Sequence, residues 1–135
     1  MNYSRGSKFV LTFAVLVFCS SCAHLGVRES GVLTVDSIRL TAAGHFLDLR
    51  YRVLDPSKAN ELLGPGVKPI LTDIASGLEM SVPDTAKLGP LRQTYQEQRP
   101  DRQYFVLFNN TAGLIPGSRV SVNLGGLVFD DLLVE

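Results

Sequence analysis

The chain has 135 residues, 13 basic and 13 acidic side chains, 45% hydrophobic residues, two cysteines and no tryptophan. So balanced a charge excludes nucleic acid, which needs a concentrated basic footprint, and excludes binding to anionic lipid by charge alone. The length suits one domain, without sequence repeats or low-complexity tracts.

Arg5 and Lys8 precede an apolar run from Phe9 to Phe18. About ten such residues is the length of a signal-peptide core, whereas a bilayer-spanning helix needs about 20. Ser20 and Ser21 then offer the small side chains a peptidase site requires, and Cys22 follows. Removing residues 1–21 would leave 114 residues with 11 basic and 13 acidic side chains. Both cysteines, Cys19 and Cys22, sit at this junction, so the domain beyond has no pair for a disulfide. Two other fates compete: an uncleaved anchor, for which the run is short, and ordinary secretion with cleavage after Ala23.

Cys19-Ser20-Ser21-Cys22 resembles the bacterial lipoprotein signal, an apolar residue and two small ones before an invariant cysteine. Cys19 stands where leucine is usual. The resemblance implies that residues 1–21 are a signal peptide, that the Cys22 thiol carries a diacylglyceryl group, and that its freed amine is acylated. Each buried methylene contributes about 0.8 kcal/mol, so several chains on one residue hold a domain to a bilayer permanently in practice. In that family an aspartate after the cysteine favours the inner membrane. Ala23 occupies the position here, which implies the outer membrane, facing the periplasm. Residues 22–31 then read as a short lipidated tether and 32–135 as the folded domain.

Within that domain, Leu33 and Val35 share one parity while Ile38 and Leu40 share the other. A β-bulge at Asp36 or Ser37 would return all four to one face. After a turn at Thr41–Gly44, Leu47, Leu49, Tyr51 and Val53 alternate with Asp48, Arg50 and Arg52, the clearest strand in the chain. The two strands are expected to pair as a hairpin with one wet face. Asp55 can cap a helix with Pro56 at its first position and Gly64 at its stop, giving two turns at most.

Residues 67–73 and 78–82 read as short strands around a turn at 74–77, the first beginning after Pro69 or lying at an edge. Gly89-Pro90 interrupts any strand over 87–93. Residues 94–102 form the most polar segment, expected as a long exposed loop that presents Tyr95, Arg99 and Arg102. Tyr104–Phe108 is apolar on both parities and should be a central strand, covered on both faces or offering one for interaction. Leu114 and Ile115 are expected to plug one end of the core. Val120, Val122 and Leu124 point inward on the next strand, Gly125-Gly126 makes a two-residue hairpin turn, and the last strand slips phase at Asp130-Asp131.

Seven or eight short strands and one short helix predict an all-β fold. The best fit is an antiparallel β-sandwich, immunoglobulin-like in the loose sense; the alternative is a small β-barrel.

The chemistry this pattern supports is thin. A nucleophilic triad needs a histidine base, and the folded part holds His45 alone, with His24 in the tether. No histidines or thiolates stand at ligand spacing. His45, Asp130 and Asp131 are the residual metal candidates, although adjacent aspartates on a strand point to opposite faces. Arg50 and Arg52 share one face and could receive phosphate or carboxylate, or form a solvated surface balanced by Asp36 and Asp48. The segments Leu49–Pro56 and Gly89–Gln93 resemble small envelope lipoproteins that carry no assigned activity. The expectation is therefore a membrane-anchored, non-enzymatic protein without cofactors, held through the Cys22 lipid and binding another envelope protein as an accessory or assembly factor. The alternative is a small-ligand or metal-binding carrier.

Overall fold

The computed structural model describes residues 29–93 and 98–135. Strands β1 (Leu33–Thr41) and β2 (Phe46–Val53) lead into helix α1 (Pro56–Leu62). Then come β3 (Ile70–Asp73), β4 (Glu79–Ser81), the two-residue β5 (Asp84–Thr85) and β6 (Gly89–Pro90), β7 (Gln103–Asn109), β8 (Arg119–Leu124) and β9 (Leu127–Leu133). All pairings are antiparallel. Sheet A has the order β1-β2-β7 and sheet B the order β4-β3-β8-β9, while β5 and β6 form a separate ribbon. The fold is all-β and sandwich-like, with no closed barrel among the described residues.

Alternation dictates the layers. Leu33, Val35, Ile38, Leu47, Leu49, Tyr51, Val53, Tyr104, Val106 and Phe108 of sheet A share one buried cluster with Leu71, Met80, Val120, Val122, Leu124, Phe129 and Leu132 of sheet B. The phase change in β1 is resolved by a bulge: Val35 pairs with Tyr51 and Ser37 with Arg50, so Asp36 is the extra residue. A second register shift, between Val120 and Val122, absorbs the slip at Asp130-Asp131, where Asp131 takes φ 58°. The sheets are stitched together after β9. Glu135 N donates to Ile38 O at 2.9 Å and Leu40 N donates to Glu135 O at 3.2 Å, so the strand leaving sheet B covers the edge of β1.

Helix α1 starts as its residues dictate. Asp55 caps it by accepting from Lys58 N at 3.3 Å, Pro56 holds the first turn, and Ala59 and Leu63 are buried beneath it. Strand β3 begins after Pro69, and its following turn is tied by Asp73. That carboxylate accepts from Ser76 Oγ at 2.5 Å and from the amides of Ser76 and Ala75 at 3.1 and 3.3 Å. The Ser76 hydroxyl, with these amides, holds the Asp73 carboxyl below its ordinary value against the opposing pull of desolvation.

Four expectations need correction. The strands number nine among the described residues, because Gly89-Pro90 interrupts a strand yet still pairs with Asp84-Thr85. Leu114 plugs the core, held by Asn110, whose Oδ1 accepts from Leu114 N at 2.7 Å, but Ile115 points outward. The fold also begins inside the expected tether: Glu29 bridges Thr34, and Ser30 Oγ accepts from Leu33 N at 3.1 Å. Finally, residues 99–102 of the 94–102 segment are exposed as expected, but the described part is anchored to the sandwich rather than free. Gln98 is buried with its amide donating to Asn60 Oδ1 at 2.8 Å, and Asp101 N donates to Val53 O at 3.1 Å.

The cause of that docking is a polar pair inside the core. Tyr51 and Tyr104 face each other in register, their ring centroids 5.7 Å apart and stacked. Both hydroxyls need partners once buried. Arg99 N donates to the Tyr104 hydroxyl at 2.8 Å, and the buried Gln98 sits close enough to Tyr51 to lower its pKa slightly. Burial pushes the Tyr51 phenol up to about 12, against smaller lowering by Arg92 and Gln98. A pKa higher in the folded than the unfolded chain stabilises the fold below the unfolded value, near 10, and that contribution is lost as pH rises from 10 to about 12. Denaturant midpoints measured across this window should fall by the equivalent of roughly 3 kcal/mol. The Tyr51→Phe variant should lack this limb, and an identical alkaline profile in that variant would show that Tyr51 does not cause it.

Candidate functional site

The outer face of sheet A gathers a close set of charged side chains. Its position follows from alternation: once the core-facing residues of β2 turn inward, Asp48, Arg50 and Arg52 turn out. The bulge then brings β1 into the same phase, placing Ser37 opposite Arg50 and Arg39 opposite Asp48. Strand β7 adds Gln103 beside Arg52 and Phe105 beside Arg50. Asp36, Ser37, Arg39, Asp48, Arg50, Arg52 and Gln103 line an open depression of about 800 Å³.

Each arginine is gripped by a carboxylate. Arg50 donates from Nε and Nη2 to Asp48 Oδ2 at 2.9 and 2.6 Å, and its guanidinium carbon lies 5.3 Å from the Phe105 ring centroid. Arg52 Nε donates to both Asp36 oxygens at 3.0 and 3.1 Å, with Nη2 2.9 Å from Oδ1, and Gln103 Nε2 donates to Asp36 Oδ2 at 2.9 Å. The hydrogen bond to Asp36 raises the Arg52 pKa further, fixing its charge. Arg39 Nε donates to Glu135 Oε2 at 2.9 Å.

Depth separates the signs. The side chains of Asp36 and Asp48 are 16% and 19% exposed, against 40%, 51% and 65% for Arg50, Arg52 and Arg39. A molecule approaching the depression therefore meets guanidinium first, although the formal charges nearly cancel. Exposed ion pairs of this kind contribute only about 0–1 kcal/mol each. Asp48 Oδ1 is moreover buried without a hydrogen-bond partner among the described residues, which costs stability. The arrangement orients the arginines more than it stabilises the fold.

The other candidates separate. Arg99 and Arg102 belong to the docked 98–102 segment, with the Arg102 guanidinium 5.9 Å from the Tyr104 ring centroid, and neither lines the depression. Tyr95, Cys22 and His24 lie outside the described residues. His45 follows the left-handed turn Ala42–Gly44 and borders a shallow cavity of about 460 Å³ with Phe46 and Asn110. Asp130 and Asp131 are engaged separately: Asp130 Oδ1 accepts from Ser121 Oγ at 2.6 Å, and Asp131 pairs with Arg119. Among the described residues no three of His, Cys, Asp and Glu converge as metal ligands, and no helix is long and apolar enough to cross a membrane.

Sequence reasoning missed Arg39, Gln103 and Glu135. Arg39 was recoverable, since a bulge at Asp36 puts it in the outward phase of Arg50. Gln103 and Glu135 depend on the β2–β7 register and on the crossing of Glu135 to β1, for which the sequence carries no local signal.

Fold and site together define a class: an all-β sandwich domain with one preorganised, outwardly cationic sheet face. No protein-family model, curated protein or solved structure matches the chain.

Proposed function

We propose that this is a lipid-anchored, non-enzymatic protein of the bacterial cell envelope, held at the outer membrane by Cys22, whose sandwich docks another envelope protein on the outer face of sheet A. The observation that carries the docking is the arginine face, with Arg50 and Arg52 each fixed by a recessed carboxylate. Prepaid side-chain order lowers the entropic cost of association. The anchoring rests on the basic start, the ten-residue apolar core and the cysteine that follows two small residues. The non-enzymatic reading rests on a folded part whose one histidine stands alone.

Anchor and docking are tested apart. The Cys22→Ala variant should stay unprocessed or leave the membrane fraction, which fractionation with mass spectrometry of the mature terminus reads directly. Processing and anchoring like the parent would remove the lipid. For the docking, crosslinked membranes carrying the tagged full chain should yield a stoichiometric protein partner. The double variant Arg50→Glu, Arg52→Glu should lose it while its unfolding midpoint shifts by no more than about 1–2 kcal/mol. Equal recovery from parent and variant would reject this face.

A second reading, the small-ligand carrier, is favoured by a more apolar cavity of about 480 Å³ between the loop after α1 and the β5–β6 ribbon. Its volume falls in the range of ligand pockets, roughly 300–1,000 Å³. Pro69, Val82 and Pro90 form its walls, and Lys68 and Arg92 bring two positive charges against the one negative charge of Asp84. Native mass spectrometry of gently extracted protein would reveal a co-purifying small anion if this cavity is the functional one.

A further inference from the structure

Resting on the docking reading above, we infer that the occupant of the sheet A face is an extended, acidic protein segment with carboxylates two residues apart. Arg50 and Arg52 are two apart on one strand, so their side chains leave the sheet about 7 Å from each other. Residues i and i+2 of any extended segment project carboxylates with the same period to the same side. The spacing thus matches a strand laid along β2, one carboxylate to each guanidinium.

The donor geometry supports this. Arg50 spends its Nε and Nη2 on Asp48, and Arg52 spends the same edge on Asp36. A guanidinium has five N–H donors in a rigid fork, so the Nη1 edge of each remains for a second, planar oxyanion. Carboxylate fits that fork side by side. A phosphate dianion concentrates two charges at one point, above the recessed Asp36 and Asp48. Two single charges set 7 Å apart meet less of that repulsion. Phe105 and Leu107, half-buried on β7 opposite Arg50 and Asp48, give the acidic side chains an apolar floor for their methylenes.

The test uses the full chain in detergent micelles and four probes: the peptides Thr-Glu-Thr-Glu-Thr and Thr-Gln-Thr-Gln-Thr, inorganic phosphate, and phosphatidylglycerol doped into the micelles. Arginine Nε–Hε resonances report on the face. The glutamate peptide should shift Arg50 and Arg52 saturably. Its affinity should exceed that of the glutamine peptide at least tenfold, and it should fall at least tenfold in the Arg50→Gln, Arg52→Gln variant. Equal response to the glutamine peptide would overturn the inference, as would Arg50 and Arg52 resonances that respond to phosphate or to phosphatidylglycerol at a lower concentration than to the glutamate peptide. If the crosslinked partner is lost on charge reversal while neither peptide binds, the acidic segment is wrong and the docking face stands.

Discussion

Replacing Gly125 by alanine is expected to destabilise the domain by about 2–5 kcal/mol, the sum of backbone strain and a steric conflict. Gly125 and Gly126 form the β8–β9 turn with φ of 63° and 94°. An L-residue held in that left-handed region costs roughly 1–2 kcal/mol. The larger part is contact. A Cβ on Gly125 would lie 1.9 Å from the carbonyl oxygen of Leu62 and 2.9 Å from its carbon. Leu62 is the last residue of α1, and this is backbone, so no rotamer change relieves the overlap. Either the helix lifts, exposing Ala59 and Leu63, or the hairpin shifts and pulls Leu124 from the core. The neighbouring Gly126 provides the control, because nothing lies within 4 Å of the Cβ it would gain. Its φ is the less favourable for alanine, so strain alone would make Gly126→Ala the costlier change. Denaturant melts should show the reverse. If the two cost the same, the helix contact is not what holds the turn.

That glycine also marks where the sequence stops being legible. The Gly-Gly pair announces a hairpin through local chemistry, and so do the Asp55-Pro56 cap and the alternation of β2. Each is a property of consecutive residues, decided within a few bonds. The bulge at Asp36 was readable for the same reason, since one strand's apolar phase has to be reconciled with one core. The closeness of Gly125 to Leu62 is different: residues 63 positions apart meet only after the sandwich assembles. The functional face divides likewise. Arg50 and Arg52 were visible as an outward pair, whereas the depth difference that turns a balanced surface into a cationic one is tertiary, set by how far Asp36 and Asp48 sink between strands. In the polar segment after Thr94, composition marked the exposure of residues 99–102 but not the burial of Gln98 or the demand of two buried phenols for partners.

Tyr104 is where that demand can be measured, and truncating it to alanine should cost about 3–5 kcal/mol, the range for a buried aromatic. The ring is fully buried, stacks on Tyr51, and carries the Arg102 guanidinium near its centroid. Tyr104→Phe separates the two parts of this role. It retains the ring but removes the acceptor that Arg99 N uses at 2.8 Å. Losing that hydrogen bond should cost about 1 kcal/mol, because water can reach the released amide. The consequence should be local. Hydrogen exchange at Arg99 and Asp101 should quicken in Tyr104→Phe while the amides of β2 and β7 keep their protection, since sub-global opening follows the weakest attachments. In Tyr104→Ala protection should fall across sheet A as well. A Tyr104→Phe chain whose β7 amides lose protection together with Arg99 would mean that the hydroxyl supports the sandwich itself, and that the 98–102 segment is part of the core rather than a strap fastened to it.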